Sequence, residues 1–267
     1  MNVLITSVSI PVACWIAGGT WSNTFSILLA GCAGALVTAG ANAINDVFDI
    51  DIDCINRPDR VLPSGNLTVN QAKRFWYVTS MLALVFTTLL SLIAFVIVLC
   101  AIVILYFYSA YLKRTVLVGN VVVALMTGMA FIYGGVVVAN LGRALIPALF
   151  AFLINLAREV VKDIEDMEGD NKEKAGTFPL IYGVFVSRLF ISSTLVLLVI
   201  LTVLIGDSNY YNHYFLYVVL LSDLCILFGF ILLWRVLSQS RLHQISVLLK
   251  SSMILGLLAI IVGSFTL

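Results

Sequence analysis

Three aspartates in the first fifth of the chain have the spacing of ligands on one face of a helix. Asp46, Asp49 and Asp53 follow Asn42, and on a helix these four side chains fall within about 60° of one another. Asp51 points the opposite way. Carboxylates aligned in this manner repel one another unless a cation lies among them. Several oxygen ligands without a nearby histidine or cysteine suit Mg²⁺, which usually completes its coordination shell with water and substrate phosphate.

Basic residues follow the first acidic cluster directly. Arg57 and Arg60 come within two helical turns of Asp53, and Pro58 and the turn at 63–65 shape the loop that carries them. Arginine binds phosphate oxygens through a bidentate fork. Acidic and basic groups at this spacing predict a metal–diphosphate site rather than a bare ion site.

A second acidic cluster lies more than 100 residues later. On a helix, Asp163, Asp166 and Asp170 again share a stripe about 60° wide, whereas Glu165 and Glu168 face elsewhere and are predicted to be solvated. One such stripe is weak evidence, but two in one chain are strong evidence for a shared site. If the two helices face one another, each holds one side of a polynuclear Mg²⁺ centre.

The composition indicates what kind of protein carries these clusters. Of the 267 residues, 61% are hydrophobic and 11% are charged, against roughly 25% charged in a soluble domain. The mean hydropathy is +1.09. These values exclude an ordinary soluble enzyme, a disordered chain and a nucleic-acid binder with a basic face. They favour an all-α, polytopic membrane protein.

Apolar runs long enough to cross a bilayer, which takes about 20 residues, predict nine transmembrane helices. The run 75–112 is too long for one helix, so we place a tight turn near Leu89–Phe95. The nine predicted spans are 2–20, 25–50, 73–91, 93–112, 117–139, 143–165, 180–205, 213–236 and 244–265.

The distribution of charge predicts the orientation in the membrane. Fourteen of the fifteen lysines and arginines lie in or beside the connections after the second, fourth, sixth and eighth spans, and Arg143 is the exception. The positive-inside rule makes that side cytoplasmic. The N-terminus is then inside and the C-terminus outside, and both acidic clusters lie at the cytoplasmic ends of their helices. Asp223 falls within the eighth span, where we expect a hydrogen bond across helices.

These motifs resemble those of the UbiA superfamily of intramembrane prenyltransferases. The family pattern NDxxDxxxD is met by Asn45, Asp46, Asp49 and Asp53, and the second motif DxxxD by Asp166 and Asp170. The string INRPDRVLPSG at 55–65 is similar to that of the archaeal digeranylgeranylglyceryl phosphate synthases. The resemblance implies one domain over 1–267, with nine helices around a central cavity.

The resemblance also implies roles for individual residues. The residues that bind Mg²⁺ directly or support its ligands would be Asp46, Asp49, Asp53, Asp163, Asp166 and Asp170. The substrate-binding residues would be Asn42, Asn45, Arg57, Arg60, Lys113, Arg114, Tyr108 and Lys162. Tyr111 is an alternative to Tyr108, and both tyrosines also fit an interfacial aromatic belt. Arg114 fits equally well as a charge that only sets the orientation of the chain in the membrane.

The reaction implied is transfer of a prenyl group from its diphosphate to an acceptor. In the archaeal lipid branch the donor is geranylgeranyl diphosphate and the acceptor is geranylgeranylglyceryl phosphate, which together with membrane lipids would be the partners. We expect neither nucleic acid nor an obligate protein partner. An aromatic acceptor of quinone biosynthesis remains an alternative. A cation transporter is a poorer fit, because transporters hold ions near the midplane.

Overall fold

The computed structural model describes residues 2–172, 176–208 and 210–264, and over these residues the regular elements are all helices. The all-α prediction is therefore confirmed. The helices are α1 Asn2–Ile16, α2 Thr24–Phe48, α3 Ile50–Asn56, α4 Val69–Thr88, α5 Leu92–Ala110, α6 Val118–Val137, α7 Leu141–Lys172, α8 Phe178–Asp207, α9 His213–Leu233 and α10 Gln239–Ser264.

Within the described residues, seven segments are long and apolar enough to cross a membrane, as expected of a multi-pass membrane protein. The predicted number of nine is not confirmed. Helix α1 contributes only a short apolar stretch, Thr6–Ile16. Helix α4 begins with polar residues, among them Lys73 and Arg74, which lower its hydropathy. The seven segments are Trp21–Phe48, Leu92–Ala110, Val118–Val137, Leu141–Met167, Phe178–Asp207, His213–Leu233 and Gln239–Ser264.

The turn predicted within the apolar run 75–112 is confirmed. Helix α4 ends at Thr88 and α5 begins at Leu92. The hydroxyl of Ser91 accepts a hydrogen bond from the backbone N–H of Ala94 at 3.1 Å. This cap satisfies one of the free N–H groups at the start of α5 and fixes where the second helix begins.

The chain divides into two compact units. The first comprises residues up to Lys113 together with Met129–Leu145. In this unit α2 packs against α1, α4 and α5. Small residues allow the close approach that membrane helices need, since a Cβ atom at Gly34 would lie 2.0 Å from the Cδ1 atom of Ile10.

The second unit comprises Arg114–Gly128 and the chain from Ile146 onward. In this unit α9 packs against α8 and α10. The Thr202 hydroxyl of α8 donates to the buried Asp223 carboxylate of α9 at 3.0 Å, which confirms the hydrogen bond expected across helices. Between α9 and α10, the hydroxyl groups of Ser222 and Ser252 lie 2.8 Å apart.

Gly134 gives a test of the packing in the first unit. A Cβ atom at this position of α6 would lie 2.8 Å from the backbone of Ala13 and Cys14 in α1, so a side chain forces the two helices apart. We expect Gly134→Ala to lower the free energy of unfolding by about 1–3 kcal/mol. The measurement is thermal unfolding of the purified protein in detergent.

Gly142→Ala is the matched control for Gly134→Ala. A Cβ atom at Gly142 has no neighbour within 4 Å, and the residue lies in the first turn of α7. Its unfolding temperature should equal that of the unmodified chain. Equal unfolding temperatures for both variants would show that α1 and α6 do not pack as described.

Candidate functional site

The first acidic cluster lies where α2 gives way to α3. Asp46 is in the last turn of α2, Asp49 (φ −97°, ψ 2°) separates the two helices, and Asp53 is in α3. The predicted continuous helix is thus interrupted. Backbone N–H groups of Asp49 and Asp53 still donate to the carbonyl groups of Asn45 and Asp49, at 3.0 and 2.8 Å. The carboxylates therefore keep one-turn spacing, while Asp51 is exposed, as its helical position predicts.

Arg60 joins two of the three carboxylates. Its Nη1 atom donates to Oδ2 of Asp53 at 2.6 Å and lies 3.4 Å from Oδ1 of Asp46. The Asp53 side chain is only 8% exposed. A carboxylate so poorly hydrated needs a cation beside it, because an uncompensated buried charge is strongly destabilising. Arg60 supplies that cation.

Lys113 neutralises the third carboxylate. It lies in the 3₁₀ helix Leu112–Arg114, and its ammonium group forms an ion pair with Oδ1 of Asp49. The same ammonium group donates to Oδ1 of Asn45 at 3.3 Å. The Asn45 amide in turn donates to Oδ2 of Asp49 at 2.9 Å. We call Asn45, Asp46, Asp49, Asp53, Arg60 and Lys113 together the ion-pair network.

The loop between α3 and α4 holds Arg60 in place through its own backbone. The Arg60 N–H group donates to the carbonyl of Arg57 at 3.0 Å, and the Arg60 carbonyl accepts from Ser64 at 2.9 Å. Gly65 closes the next turn by donating to Leu62 at 3.0 Å, with a φ of 76° that favours glycine. Successive turns thus direct the guanidinium group back to the aspartates.

Other residues predicted for this site lie outside the ion-pair network, as far as the described residues show. Asn42 and Arg57 are exposed. Tyr108 is half-buried on α5, and the alternative Tyr111 is 67% exposed with its ring stacked on Phe107. The structure therefore keeps Asn42 and Arg57 accessible to a ligand.

An aromatic group beside the network was not predicted from the sequence. The ring of Tyr106 lies 5.4 Å from that of Phe48 and 5.3 Å from that of Trp76. Phe48 immediately precedes Asp49 in the chain. In the sequence Tyr106 is one of many aromatic residues within apolar helices, so nothing distinguished it from the others.

The second acidic cluster lies on α7, which continues as far as Lys172 and therefore carries all three predicted aspartates. The amide of the buried Asn120 donates to Oδ2 of Asp163 at 2.8 Å. Asp166 is exposed and Asp170 is half-buried. Asn120 had no predicted role, although an asparagine within an apolar helix is itself a signal of a polar partner.

Basic residues around the second cluster differ in their surroundings. Lys162 and Arg114 are exposed. Glu159, which continues the second acidic stripe one turn before Asp163, forms an ion pair at 2.7 Å with Arg158, a residue to which the sequence assigned no role. The expectation that the helices carrying the two acidic clusters face one another stays a prediction.

Glu165 corrects one expectation about this helix. It was predicted to be solvated, but its side chain is 25% exposed and its Oε1 atom lies 3.7 Å from Nδ1 of His243. Its carbonyl group also accepts from the Gln239 side chain at 3.0 Å. Glu165 thus connects α7 to the start of α10. Glu168 was also predicted to be solvated, but its side chain lies outside the described residues.

The donor atoms of both clusters fit Mg²⁺ in a particular way. All are carboxylate or amide oxygens, the ligands that hard cations prefer. Among the described residues, no three His, Cys, Asp or Glu side chains converge to enclose an ion. Mg²⁺ often uses one or two carboxylates together with substrate phosphates rather than a protein cage. The aspartates therefore suit an ion that arrives with, or is completed by, a phosphorylated substrate.

Comparison with known proteins identifies the family. The model of the UbiA prenyltransferase family matches residues 3–260. A digeranylgeranylglyceryl phosphate synthase from Methanobrevibacter smithii is 34% identical over 273 residues, which cover 99% of this chain and 95% of the relative. A Thermococcus gammatolerans protein of the same name is 37% identical over 246 residues, covering 90% of this chain and 84% of that protein.

A solved structure agrees with these relatives. It is described as giving structural and mechanistic insights into digeranylgeranylglyceryl phosphate synthase in membranes, with a TM-score of 0.89 and 33% identity over 100% of this chain and 95% of that one. The ion-pair network, the family match over nearly the whole length and these likenesses lead to one conclusion. This chain belongs to the UbiA prenyltransferase family.

Proposed function

We propose that this chain transfers a geranylgeranyl group from geranylgeranyl diphosphate to the hydroxyl group of geranylgeranylglyceryl phosphate and releases diphosphate. Support comes from relatives named digeranylgeranylglyceryl phosphate synthase that match along most of the chain. The observation that carries the proposal is the ion-pair network. It holds three carboxylates and two cations at the end of a membrane-spanning helix, where a lipid diphosphate would present its charge.

The cations of the network would bind the diphosphate. Arginine grips phosphate oxygens with a planar fork, and the lysine ammonium group adds a compact charge. Arg60 and Lys113 are 36% and 15% exposed at the side chain, and Arg57, which precedes Arg60 by three residues, is exposed. Neutralising the negative charge that develops on the leaving diphosphate lowers the barrier to breaking the allylic C–O bond.

The six aspartates of the two clusters would hold Mg²⁺. When bound, the ion neutralises and orients the diphosphate as a Lewis acid. A solved structure for comparison is an Archaeoglobus fulgidus UbiA homologue described as bound to GPP and Mg²⁺. It is 18% identical to this chain with a TM-score of 0.66, over 97% of this chain and 96% of that one. That likeness concerns the fold, so Mg²⁺ in this chain stays part of the proposal.

The transfer itself needs few protein groups. The C1–O bond of the donor breaks, the acceptor hydroxyl oxygen bonds to C1, and the hydroxyl proton passes to the released diphosphate or to a carboxylate of the clusters. The apolar surroundings of the spanning helices exclude water, which would otherwise capture the allylic cation. Asn45 holds Asp49 in one orientation and so keeps a carboxylate positioned for this step.

Two further parts of the proposal concern the whole chain. We place the acidic clusters on the cytoplasmic side, with the N-terminus inside and the C-terminus outside, because the basic residues concentrate there. We also propose that both units act as one catalytic domain without an obligate protein partner. The family match from residue 3 to 260, which runs through both units, supports this organisation.

Substitution of one aspartate in each cluster tests whether both serve the reaction. We expect Asp46→Asn and Asp166→Asn each to lower kcat by roughly 100-fold or more, because each change removes a negative charge that holds the cation at the leaving group. The measurement is diphosphate release from detergent-solubilised protein with Mg²⁺ and both substrates. Chelation with EDTA should abolish turnover in the unmodified chain, and added Mg²⁺ should restore it.

Matched controls lie within five residues of the substituted aspartates. Asp51→Asn and Glu165→Gln remove the same charge from residues that lie off the two stripes, and both should retain near-normal turnover. Unchanged rates for Asp46→Asn and Asp166→Asn would refute the ligand assignment. A loss confined to one cluster would show that only that cluster serves the reaction.

The acceptor is tested by competition between substrate classes. With geranylgeranyl diphosphate as donor, we expect product from geranylgeranylglyceryl phosphate and none from an aromatic acid such as 4-hydroxybenzoate, as identified by mass spectrometry. Product from the aromatic acid alone would assign the chain to the quinone-type branch. Mg²⁺ flux without any diphosphate release would instead indicate a transporter.

Cys54 tests the orientation. It is an exposed cysteine of α3, next to the first cluster. In sealed, inverted membrane vesicles, where the cytoplasmic face is outward, a membrane-impermeant maleimide should label it. In right-side-out cells it should not. Cys54→Ser is the control that identifies the labelled site, and labelling from the extracellular side only would reverse the proposed topology.

A further inference from the structure

The second unit contains a cavity whose lining residues have no assigned role in the proposed reaction. Its volume is about 770 Å³. The walls come from α7, α8, the connection between α9 and α10, and the first turn of α10. The lining residues are Ile164, Met167, Val184, Arg188, Trp234, Arg235, Val236, Leu237, Ser238, Gln239 and Leu242. We call this space the basic cavity, because its two charged side chains are both arginines.

The position of the basic cavity relative to the spanning segments is informative. Met167 is the last residue of one spanning segment, Trp234 follows the end of another at Leu233, and Gln239 begins a third. The lining therefore includes the ends of three spanning segments, which is where lipid headgroups would lie. A tryptophan at this level is typical of the membrane interface.

Arg188 is the charged group in the wall of α8. Its Nε atom is buried and has no hydrogen-bond partner among the described residues. A buried N–H group of a guanidinium that lacks an acceptor carries a desolvation cost, which an anionic ligand would remove. Arg235 is exposed on the opposite wall, in the connection between α9 and α10.

The walls are held in place by hydrogen bonds. Arg241 donates from its guanidinium group to the carbonyl of Val236, and Gln239 donates to the carbonyl of Glu165 at 3.0 Å. The indole N–H of Trp234 donates to Ser192 at 3.0 Å, which fixes the tryptophan against α8. The α9–α10 connection is thereby tied to both α7 and α8, so the basic cavity is formed before any ligand arrives.

The apolar part of the lining determines the class of ligand. Ile164, Val184 and Leu242 provide apolar wall, whereas a free anion would need only the arginines. Basic pockets between membrane helices on the cytoplasmic side recognise anionic lipid headgroups in this way. We propose that the basic cavity binds the phosphate group of an anionic lipid through Arg188 and Arg235, with the glycerol and first chain carbons against the apolar wall.

Lipid binding to the purified full-length chain tests the proposal without any turnover. In native mass spectrometry we expect phosphatidylglycerol to bind at least about tenfold more tightly than phosphatidylcholine with the same acyl chains. Arg188→Gln and Arg235→Gln should each weaken phosphatidylglycerol binding by about tenfold, since each removes a charged hydrogen-bond donor. Equal binding of the two lipids, or unchanged binding by both variants, would overturn the proposal.

Two controls separate a lost ligand contact from a lost fold. Arg74→Gln makes the same change of charge at an exposed position of α4, outside the cavity, and should bind phosphatidylglycerol like the unmodified chain. Arg188→Lys keeps the charge and should retain most of the preference for phosphatidylglycerol. If Arg188→Gln alone elutes as aggregate in detergent, the exposed Arg235 and the lysine variant still decide the matter.

The source of the phosphate is decided by competition. The acceptor geranylgeranylglyceryl phosphate is itself an anionic lipid and is therefore one candidate ligand. Only the experiment with the acceptor rests on the proposed function. If the acceptor is the ligand, it displaces phosphatidylglycerol, and Arg188→Gln raises KM for the acceptor about tenfold with KM for the donor unchanged. If a resident membrane lipid is the ligand, both KM values stay unchanged while lipid binding falls. Displacement by millimolar inorganic phosphate would overturn the assignment to a lipid.

Discussion

Charge balance at the end of an apolar helix constrains the whole of the first acidic cluster. Moving a carboxylate out of water costs several kcal/mol even after the protein relaxes, and Asp53 retains only 8% of its side-chain exposure. The fold meets this cost with Arg60 and Lys113. Three carboxylates set against two cations leave a net negative charge, which attracts a divalent ion. The same two cations are available to a phosphate group, so the network suits a ligand that combines a divalent cation with a phosphate group.

The composition of the cluster was predictable from the sequence, but its connections were not. Helical periodicity placed Asp46, Asp49 and Asp53 on one stripe, and the interruption at Asp49 did not disperse them because the backbone hydrogen bonds continue through it. Lys113, by contrast, lies 64 residues from Asp49. No periodicity joins positions so distant, and only the family resemblance indicated it. Arg60 and Arg57 looked equivalent in sequence, and the turns of the loop select Arg60.

The helix boundaries show a second limit of sequence reasoning. Hydropathy measures preference for lipid, so it predicted that the sixth span ends at residue 165, where charged residues accumulate. The helix α7 continues to Lys172, as the shared stripe of Asp163, Asp166 and Asp170 assumes, because helix formation depends on backbone hydrogen bonds and tolerates acidic residues. Helices α1 and α4 show the converse. Both are present as predicted, but the one is too short and the other too polar at its start to count as apolar spans.

The two clusters are prepared for a ligand in different ways. In the first, Arg60 and Lys113 neutralise carboxylates, so a metal ion must compete with them for oxygen atoms. In the second, the Asn120 amide orients Asp163 through a hydrogen bond but leaves its charge intact. Carboxylates that bind metals are themselves held by such hydrogen bonds. At the first cluster a metal ion therefore displaces Arg60 or Lys113 from a carboxylate, and a diphosphate that arrives with the ion offers the displaced cation a new partner.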